Sequence, residues 1–291
     1  MIDAHHHIWL QKDLPWLLGP ERPRIFGPYA SIKRDYEIDE YLDDIKDMGI
    51  EKSVYVQANW APNWFEDEVA WVQSVHQQAG WPHAIVGYAD FTKGDVRYQL
   101  DRLSKYSLFR GVRQQFHWHK NPMYRFAGRA DLCEDEDVQR NISHLADYGL
   151  SFDLQIFSSQ MNSGAILADA CPDVTFVLQH AGMLEEESSS VREAWQAGMK
   201  QLSARKNVYT KLSAFGTFIH RNDPQFISKM VKDTVKLFGP ERCMFGSNFP
   251  IEKIWTGYSE LLEAFKDATV GMKKAEREQI FTGTAESIYR I

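Results

Sequence analysis

The sequence is short of cysteine, of positive charge and of long apolar runs, and each shortage excludes a class of protein. Only three cysteines occur in 291 residues, at wide and irregular spacing, which argues against a disulfide framework and a thiolate zinc site. With 33 basic against 40 acidic residues, the net charge of −7 offers no positive field to nucleic acid or a membrane surface. No apolar run reaches the roughly 18 residues that cross a bilayer, and no secretion signal opens the chain, so we expect a cytoplasmic protein.

The chain also lacks Gly/Ser-rich linkers, proline-rich linkers and low-complexity segments. Its hydrophobic fraction of 44% and charged fraction of 25% are ordinary for a globular protein with a sizeable core. The length would allow two average domains, but α/β barrels use this much chain in a single one. We therefore expect one domain over residues 1–291.

Short apolar or β-branched segments alternate eight times with longer segments of helical periodicity. Such alternation predicts parallel βα units, and eight of them close a barrel, so the expected fold is an α/β, (β/α)8 TIM barrel. Strands are expected at residues 2–7, 53–59, 84–89, 111–116, 151–157, 174–180, 208–213 and 243–248, and the clearest helices at 38–48, 65–79, 96–105, 138–148 and 226–238. Two long loops, 10–36 and 117–134, are candidates for a lid and for pocket walls.

The first strand carries the most informative residues. Its period of two places Asp3, His5 and His7 on one face. Two imidazoles on adjacent pleats can share a metal ion or an anionic substrate. Three consecutive histidines can also be the remnant of a purification tag, but this run is short and lies in an apolar, strand-like context without a linker.

Polar residues at the carboxyl ends of the other strands become candidates by the same geometry, because that end of a barrel builds the active site. Each has a structural alternative: Arg113, for example, could form a salt bridge inside the barrel wall, with Asp153 or Lys211 as its structural partner. Burying so many polar groups at one end is costly unless they bind something. The candidates are Arg113, Gln115, Asp153, Gln155, His180, Lys211, Ser213 and Asn248.

Five motifs, in order along the whole chain, resemble those of the amidohydrolase superfamily (amidohydrolase 2 type). They are Asp-Ala-His-x-His-x-Trp from Asp3, Arg-Gly-Val-Arg ending at Arg113, His-x-Gly from His180, Lys-x-Ser from Lys211, and Gly-Ser-x-x-Pro from Gly246. The chain resembles in particular the branch of small lactone hydrolases, which includes sugar-lactone, sulfomuconolactone and pyrone-dicarboxylate lactonases.

The resemblance implies a barrel of the metal-dependent-hydrolase type, although members of this branch differ in whether they hold a metal. His5, His7 and His180 would be catalytic residues and, where a divalent metal such as zinc is present, its ligands. The substrate would be a small lactone with a carboxylate or hydroxyl groups, and a homo-oligomer is compatible with the sequence. The substrate-binding residues would be Arg113, Gln115, Gln155, Lys211 and Trp60.

One position departs from the family pattern. Many relatives carry an aspartate after the eighth strand, the base that takes a proton from water, where this chain has Asn248. A neutral carboxamide cannot accept that proton, so the role of Asn248 in catalysis must differ, and a metal-bound water, His180 or Glu252 could take over proton transfer.

The leading hypothesis is a hydrolase that opens a small lactone or a related ester with water activated by the histidine cluster. One alternative is a decarboxylase of the same barrel branch, since histidines, zinc and an arginine also serve carbon–carbon cleavage. The other is a catalytically silent barrel that binds a small ligand, with Asn248 as the mark of lost chemistry.

Overall fold

Eight parallel strands follow one another in chain order around a barrel in the computed structural model, which describes residues 1–291. The last strand meets the first through a parallel bridge between His6 and Phe249, and the His7 N–H donates to the Phe249 carbonyl at 2.8 Å. The expected (β/α)8 barrel is thus confirmed. The strands are β1 (Ile2–His6), β2 (Lys52–Val56), β3 (Ala84–Gly87), β4 (Phe109–Val112), β5 (Ser151–Leu154), β6 (Phe176–Leu178), β7 (Val208–Leu212) and β8 (Cys243–Phe245).

Helices surround the barrel, because each strand is followed by a segment with an apolar stripe that must be buried against it. The predicted helix at 65–79 is found with those bounds. No helix is both long and apolar enough to cross a membrane. The helices are α1 (Pro15–Leu18), α2 (Ile38–Asp44), α3 (Phe65–Ala79), α4 (Arg97–Leu103), α5 (Glu136–Ser143), α6 (Met161–Ala170), α7 (Ser189–Ser203), α8 (Gly216–Ile219), α9 (Pro224–Phe238), α10 (Tyr258–Ala268), α11 (Lys274–Glu278) and α12 (Thr284–Tyr289).

All eight strands end earlier than the sequence predicts, and two of these ends bear on the site. The strand expected at 174–180 ends at Leu178 and the strand expected at 243–248 ends at Phe245. The chain leaves the sheet there because His180 and Asn248 adopt left-handed backbone conformations, with φ of 55° and 57°. Such conformations are uncommon outside glycine and cluster at functional sites, so these two turns aim their side chains by local backbone geometry.

Asp3 closes the seam between β1 and β8. Its fully buried carboxylate accepts hydrogen bonds from the Ser247 N–H at 2.8 Å and from the Ser247 hydroxyl at 2.6 Å. The hydroxyls of Tyr41 and Tyr258 donate to the same carboxylate at 3.0 and 3.1 Å. Burial raises the pKa of Asp3, and these donors oppose the rise. The prediction that Asp3 shares a face with His5 and His7 is wrong, because a register shift between Asp3 and His6 turns the Asp3 side chain toward Tyr41, on which His6 stacks. Asp3 instead fastens the barrel.

The barrel interior is apolar at its amino-terminal end and polar at its carboxyl end. A separate cluster of ten buried residues fills the lower interior, and Tyr289 of α12 covers it from below. The larger apolar cluster, 67 residues, lies between the strands and the surrounding helices. This division leaves the upper interior for polar side chains. The strand residues of the lower cluster are Ile2, Ala4, Val54, Val56, Ala84, Val86, Val177 and Met244.

Candidate active site

A pocket of about 610 Å³ opens at the carboxyl ends of the strands, where a barrel of this type carries its active site. Residues following every one of the eight strands line it, together with parts of the two long loops that the sequence marks as lid and walls. The volume falls within the range of about 300–1,000 Å³ for small-molecule sites. The lining residue after each strand, in order, is His7, Gln57, Tyr88, Arg113, Gln155, His180, Ala214 and Asn248.

Three imidazoles lie next to one another at the base of this pocket. The ring centroid of His5 is 5.0 Å from that of His7 and 4.8 Å from that of His180. His6 points the other way and stacks on Tyr41 of α2 at 3.9 Å, as the alternation along the strand requires. The period of two thus separates the pocket histidines from the one that packs against the helical layer.

Hydrogen bonds fix the ring nitrogens of two of these histidines. Nδ1 of His7 lies 2.6 Å from the Val56 carbonyl oxygen, which can only accept, so His7 carries its proton on Nδ1 and keeps a lone pair on Nε2. Nδ1 of His180 lies 2.8 Å from the Ser213 hydroxyl. Both nitrogens of His5 are buried without a partner. Ser213 therefore supports one ring edge of His180 and leaves its Nε2 available, whereas His7 is also in contact with the Asn248 carboxamide.

All three imidazoles are held neutral. Burial, followed by the positive charge of Arg113, lowers the pKa of His7 to about 3. The same two causes lower the pKa of His180 well below its usual value, and burial with the charge of Lys211 does so for His5. A neutral imidazole can accept a proton from water, and its affinity for that proton rises when an anion offsets a neighbouring positive charge.

Arg113 is a buried cation without an ionic partner. Its side chain is only 3% exposed, donates to the Gln57 carbonyl and, at 3.3 Å, to Oε1 of Gln155, and leaves Nε without a hydrogen bond. Burial lowers the pKa of Arg113 to about 10. Gln115 donates to the same Gln155 oxygen at 3.2 Å, so three predicted substrate-binding residues lie together. An unpaired buried guanidinium favours an anionic ligand.

Lys211 is placed differently. Its ammonium is fully buried 2.7 Å from the Asp153 carboxylate and does not line the pocket. The carboxylate that the sequence offered as a structural partner for Arg113 thus pairs with Lys211 instead. His5 also lies below the pocket surface, whereas Trp60 lines it and keeps a buried Nε1 without a partner.

A buried carboxyl lies behind Asn248. Glu252 is 1% exposed and accepts hydrogen bonds from the Thr217 hydroxyl at 2.9 Å and from the Gly216 N–H at 3.2 Å. The Asn248 carboxamide interacts with Glu252 on one side and with His7 on the other. Burial raises the pKa of Glu252 to about 7. The family pattern has an acidic group at position 248. In this chain the acidic group is Glu252, which lies behind Asn248 and does not line the pocket.

Some lining residues have little or no signal in the sequence. Gln57 could have been found, because it directly follows an apolar strand, as Arg113 does. Arg24, whose guanidinium lies 5.7 Å from the Trp16 ring, comes from the proline-containing loop, and no pattern marks it. Arg125 belongs to the second long loop and packs on Trp118.

Proteins of similar sequence identify the family of this chain. The amidohydrolase family profile matches residues 2–291, nearly the whole chain. This chain belongs to the amidohydrolase family. The protein y4mH of Sinorhizobium fredii is 35% identical over 293 residues, covering 100% of this chain and 98% of that protein. An L-fucono-1,5-lactonase of Burkholderia ambifaria is 24% identical over 297 residues, covering 100% and 95%.

A solved structure agrees on the fold of this amidohydrolase. An amidohydrolase from Burkholderia multivorans, crystallised with bound zinc, superposes with a TM-score of 0.83 at 23% identity and covers 100% of this chain and 99% of its own. Together with the family match, this makes the protein a hydrolase built on a (β/α)8 barrel.

The residues of this amidohydrolase do not match the metal centre that the resemblance implies. No group of three or more His, Cys, Asp or Glu side chains is arranged to hold a metal ion. Asn248 supplies no carboxylate, and the unpaired charge of Arg113 already acts on His7 and His180. A divalent cation would add to that charge. As placed, the imidazoles of His5, His7 and His180 therefore do not fit the expected role of metal ligands.

Proposed function

We propose that this amidohydrolase opens a small lactone, or a related ester, that carries a carboxylate near the reacting carbonyl. The observation that carries the proposal is the charge of the pocket. Its 29 lining residues include Arg24, Arg113 and Arg125 but no aspartate or glutamate, in a chain whose net charge is −7. An excess of cations in one concave site of an acidic protein favours an anionic substrate.

Arg113 would bind the carboxylate. Its unpaired Nε and its Nη groups form a planar fork that matches a carboxylate, and Gln155 and Gln57 already hold that fork in place. A bound carboxylate would provide the ionic partner that the guanidinium lacks in the free protein. It would also offset the positive charge that lowers the pKa of the neighbouring histidines.

His180 would act as the general base. Ser213 holds Nδ1, which leaves Nε2 to accept a proton from water as the water oxygen attacks the lactone carbonyl carbon. The carbon–oxygen ester bond of the tetrahedral intermediate then breaks, and the same proton passes from His180 to the leaving alkoxide. The products are a hydroxyl group and a second carboxylic acid, which ionises and releases a proton to the solvent. His7, held by the Val56 carbonyl and in contact with Asn248, would position the water.

Asn248 would stabilise the oxyanion. A carboxamide N–H can donate to the negative oxygen of the intermediate although it cannot act as a base. Ionised Glu252 would accept from one N–H of Asn248 and so direct the other toward the pocket. This role explains why the carboxamide is compatible with hydrolysis of a lactone, an activated ester that needs less catalytic apparatus than an amide.

A pH-indicator screen of lactones tests the proposal. The panel pairs carboxylated lactones with neutral analogues of the same ring and includes sugar lactones and aryl lactones. We expect proton release with the carboxylated members, abolished by His180→Asn. Release of carbon dioxide without ring opening would instead support the decarboxylase. Binding of the carboxylated lactones without turnover of any of them would support the silent barrel.

A further inference from the structure

We propose that the natural substrate carries a planar apolar group of about the size of a phenyl ring, which fills the outer half of the pocket. The inference rests on the proposed function, because it describes the part of the same substrate that lies away from the reacting carbonyl. It separates this amidohydrolase from an enzyme for polyhydroxylated sugar lactones.

The pocket has two chemically different ends. The carboxyl ends of the strands place Arg113, Gln155, His180 and Asn248 at its base, all of them less than a tenth exposed. The loops that rise above them contribute mainly apolar side chains, and 15 of the 29 lining residues are hydrophobic. A ligand that complements both ends of the pocket must have a polar reacting group at the base and an apolar group between the loops.

The outer walls consist largely of eight aromatic rings, which five different loops supply. They are Trp9, Trp16 and Phe26 from the loop after β1, Trp60 after β2, Tyr88 after β3, Tyr124 and Phe126 after β4, and Phe218 after β7.

Neighbouring contacts hold these rings in place. The Trp16 indole N–H donates to the Ala58 carbonyl at 2.9 Å, and its ring packs edge-on against Phe26 at 6.1 Å. Tyr124 and Phe218, from two different loops, meet edge-to-face at 5.8 Å. Preformed aromatic surfaces of this kind bind a planar apolar group at small entropic cost, whereas sugar hydroxyls placed against them would lose hydrogen bonds to water.

The mouth of the pocket is also apolar. Phe126 is 50% exposed and Met123 is 39% exposed, and both line the pocket. Large apolar side chains left in water at the rim of a binding site are typical of a surface that a ligand covers. Their position continues the aromatic wall outward, so the apolar group of the substrate would extend from above the histidines to the rim.

Four lactones test the inference. They are γ-butyrolactone, γ-phenyl-γ-butyrolactone, paraconic acid (the carboxylated ring) and phenylparaconic acid, which carries both groups. We expect the phenyl group to raise kcat/KM for the carboxylated ring by about tenfold or more, since apolar pockets discriminate by such factors. Phenylparaconate opened no faster than paraconate would overturn the inference while leaving the proposed function intact.

If the protein opens none of these lactones, binding measurements still test the inference separately from the proposed function. Should none of the four lactones be opened, the proposed function fails, and titration calorimetry with paraconate and phenylparaconate still decides the inference. Tighter binding of phenylparaconate by about tenfold would support an aryl-selective pocket, and equal affinities would overturn it.

Two tryptophans provide matched variants. Trp60 lines the pocket, whereas Trp64, 6.5 Å away between ring centroids and 42% exposed, does not. We expect Trp60→Leu to reduce the phenyl advantage, in rate or in affinity, to less than about threefold, and Trp64→Leu to preserve it. Melting temperatures check that both variants fold. An undiminished advantage in folded Trp60→Leu would remove Trp60 from the aryl site.

Discussion

Two buried cations in one barrel allow a direct test of which one serves the substrate. Arg113 has no carboxylate partner, whereas Lys211 lies 2.7 Å from Asp153. Burial lowers the pKa of Arg113 from 12.5 to about 10, and at about 1.36 kcal/mol for each tenfold change, the charged form costs the folded state about 3 kcal/mol. Arg113→Met removes this cost together with two hydrogen bonds worth about 1.5–3 kcal/mol each.

These contributions offset one another to within about 0–3 kcal/mol, so we expect Arg113→Met to lower the free energy of unfolding by less than about 3 kcal/mol. Lys211→Met leaves the Asp153 carboxylate buried and unpaired, and we expect a loss of about 3–5 kcal/mol. Chemical denaturation of the two variants, measured side by side with the wild type, gives both values.

For Arg113→Met we expect a large effect on kinetics, in contrast to its small effect on stability. Losing the buried contact to the substrate carboxylate should cost about 2–4 kcal/mol of transition-state binding, a decrease in kcat/KM of about 30- to 1,000-fold for a carboxylated lactone. A neutral lactone of the same ring provides the matched substrate, and its kcat/KM should change little. An Arg113→Met protein with wild-type kinetics and a loss of stability of about 3 kcal/mol or more would refute the reasoning and make Arg113 a structural residue.

Four further predictions concern the same site, two of them about Glu252. Because burial raises the pKa of Glu252 to about 7, we expect kcat/KM to rise with pH through that value. This pH dependence should vanish in Glu252→Gln. It should persist in Glu68→Gln, the matched control, because Glu68 is a second buried carboxyl with a pKa of about 7. Between pH 4.5 and about 7, Glu252 keeps its proton in the folded protein but has lost it in the unfolded chain. Its contribution to the free energy of unfolding should therefore fall as pH rises through this window. Denaturation curves in which wild type and Glu252→Gln differ by the same free energy at every pH would contradict this. Asn248→Asp places a carboxylate beside Glu252 and should lower kcat/KM on the order of tenfold or more; rescue of an inactive wild type by this substitution would favour the silent barrel. Elemental analysis of untagged protein should give less than one divalent metal per chain, and turnover should survive chelation; stoichiometric zinc whose removal abolishes turnover would show that His5, His7 and His180 rearrange into a metal centre.

The sequence by itself determined the architecture, because secondary structure follows from local periodicity. Alternation in the first strand separates His6 from His5 and His7, and the structure places the rings accordingly. The apolar stripe of 65–79 reproduces the bounds of α3. Polar residues at strand ends identify Arg113, Gln155 and His180 as pocket candidates, since the barrel brings all carboxyl ends of its strands to one face.

The tertiary structure alone decided which polar residues pair with one another. Arg113 directly follows β4 and Lys211 is the penultimate residue of β7, and only Lys211 receives a carboxylate, that of Asp153 from β5. Beyond the ends of β6 and β8 the chain turns at His180 and Asn248 through left-handed conformations, which local periodicity does not predict. Glu252 follows Asn248 by four residues, but the turn between them and the Thr217 contact bury its carboxyl behind the pocket. Charge pairing and burial depend on contacts between distant parts of the chain, and local sequence does not encode these.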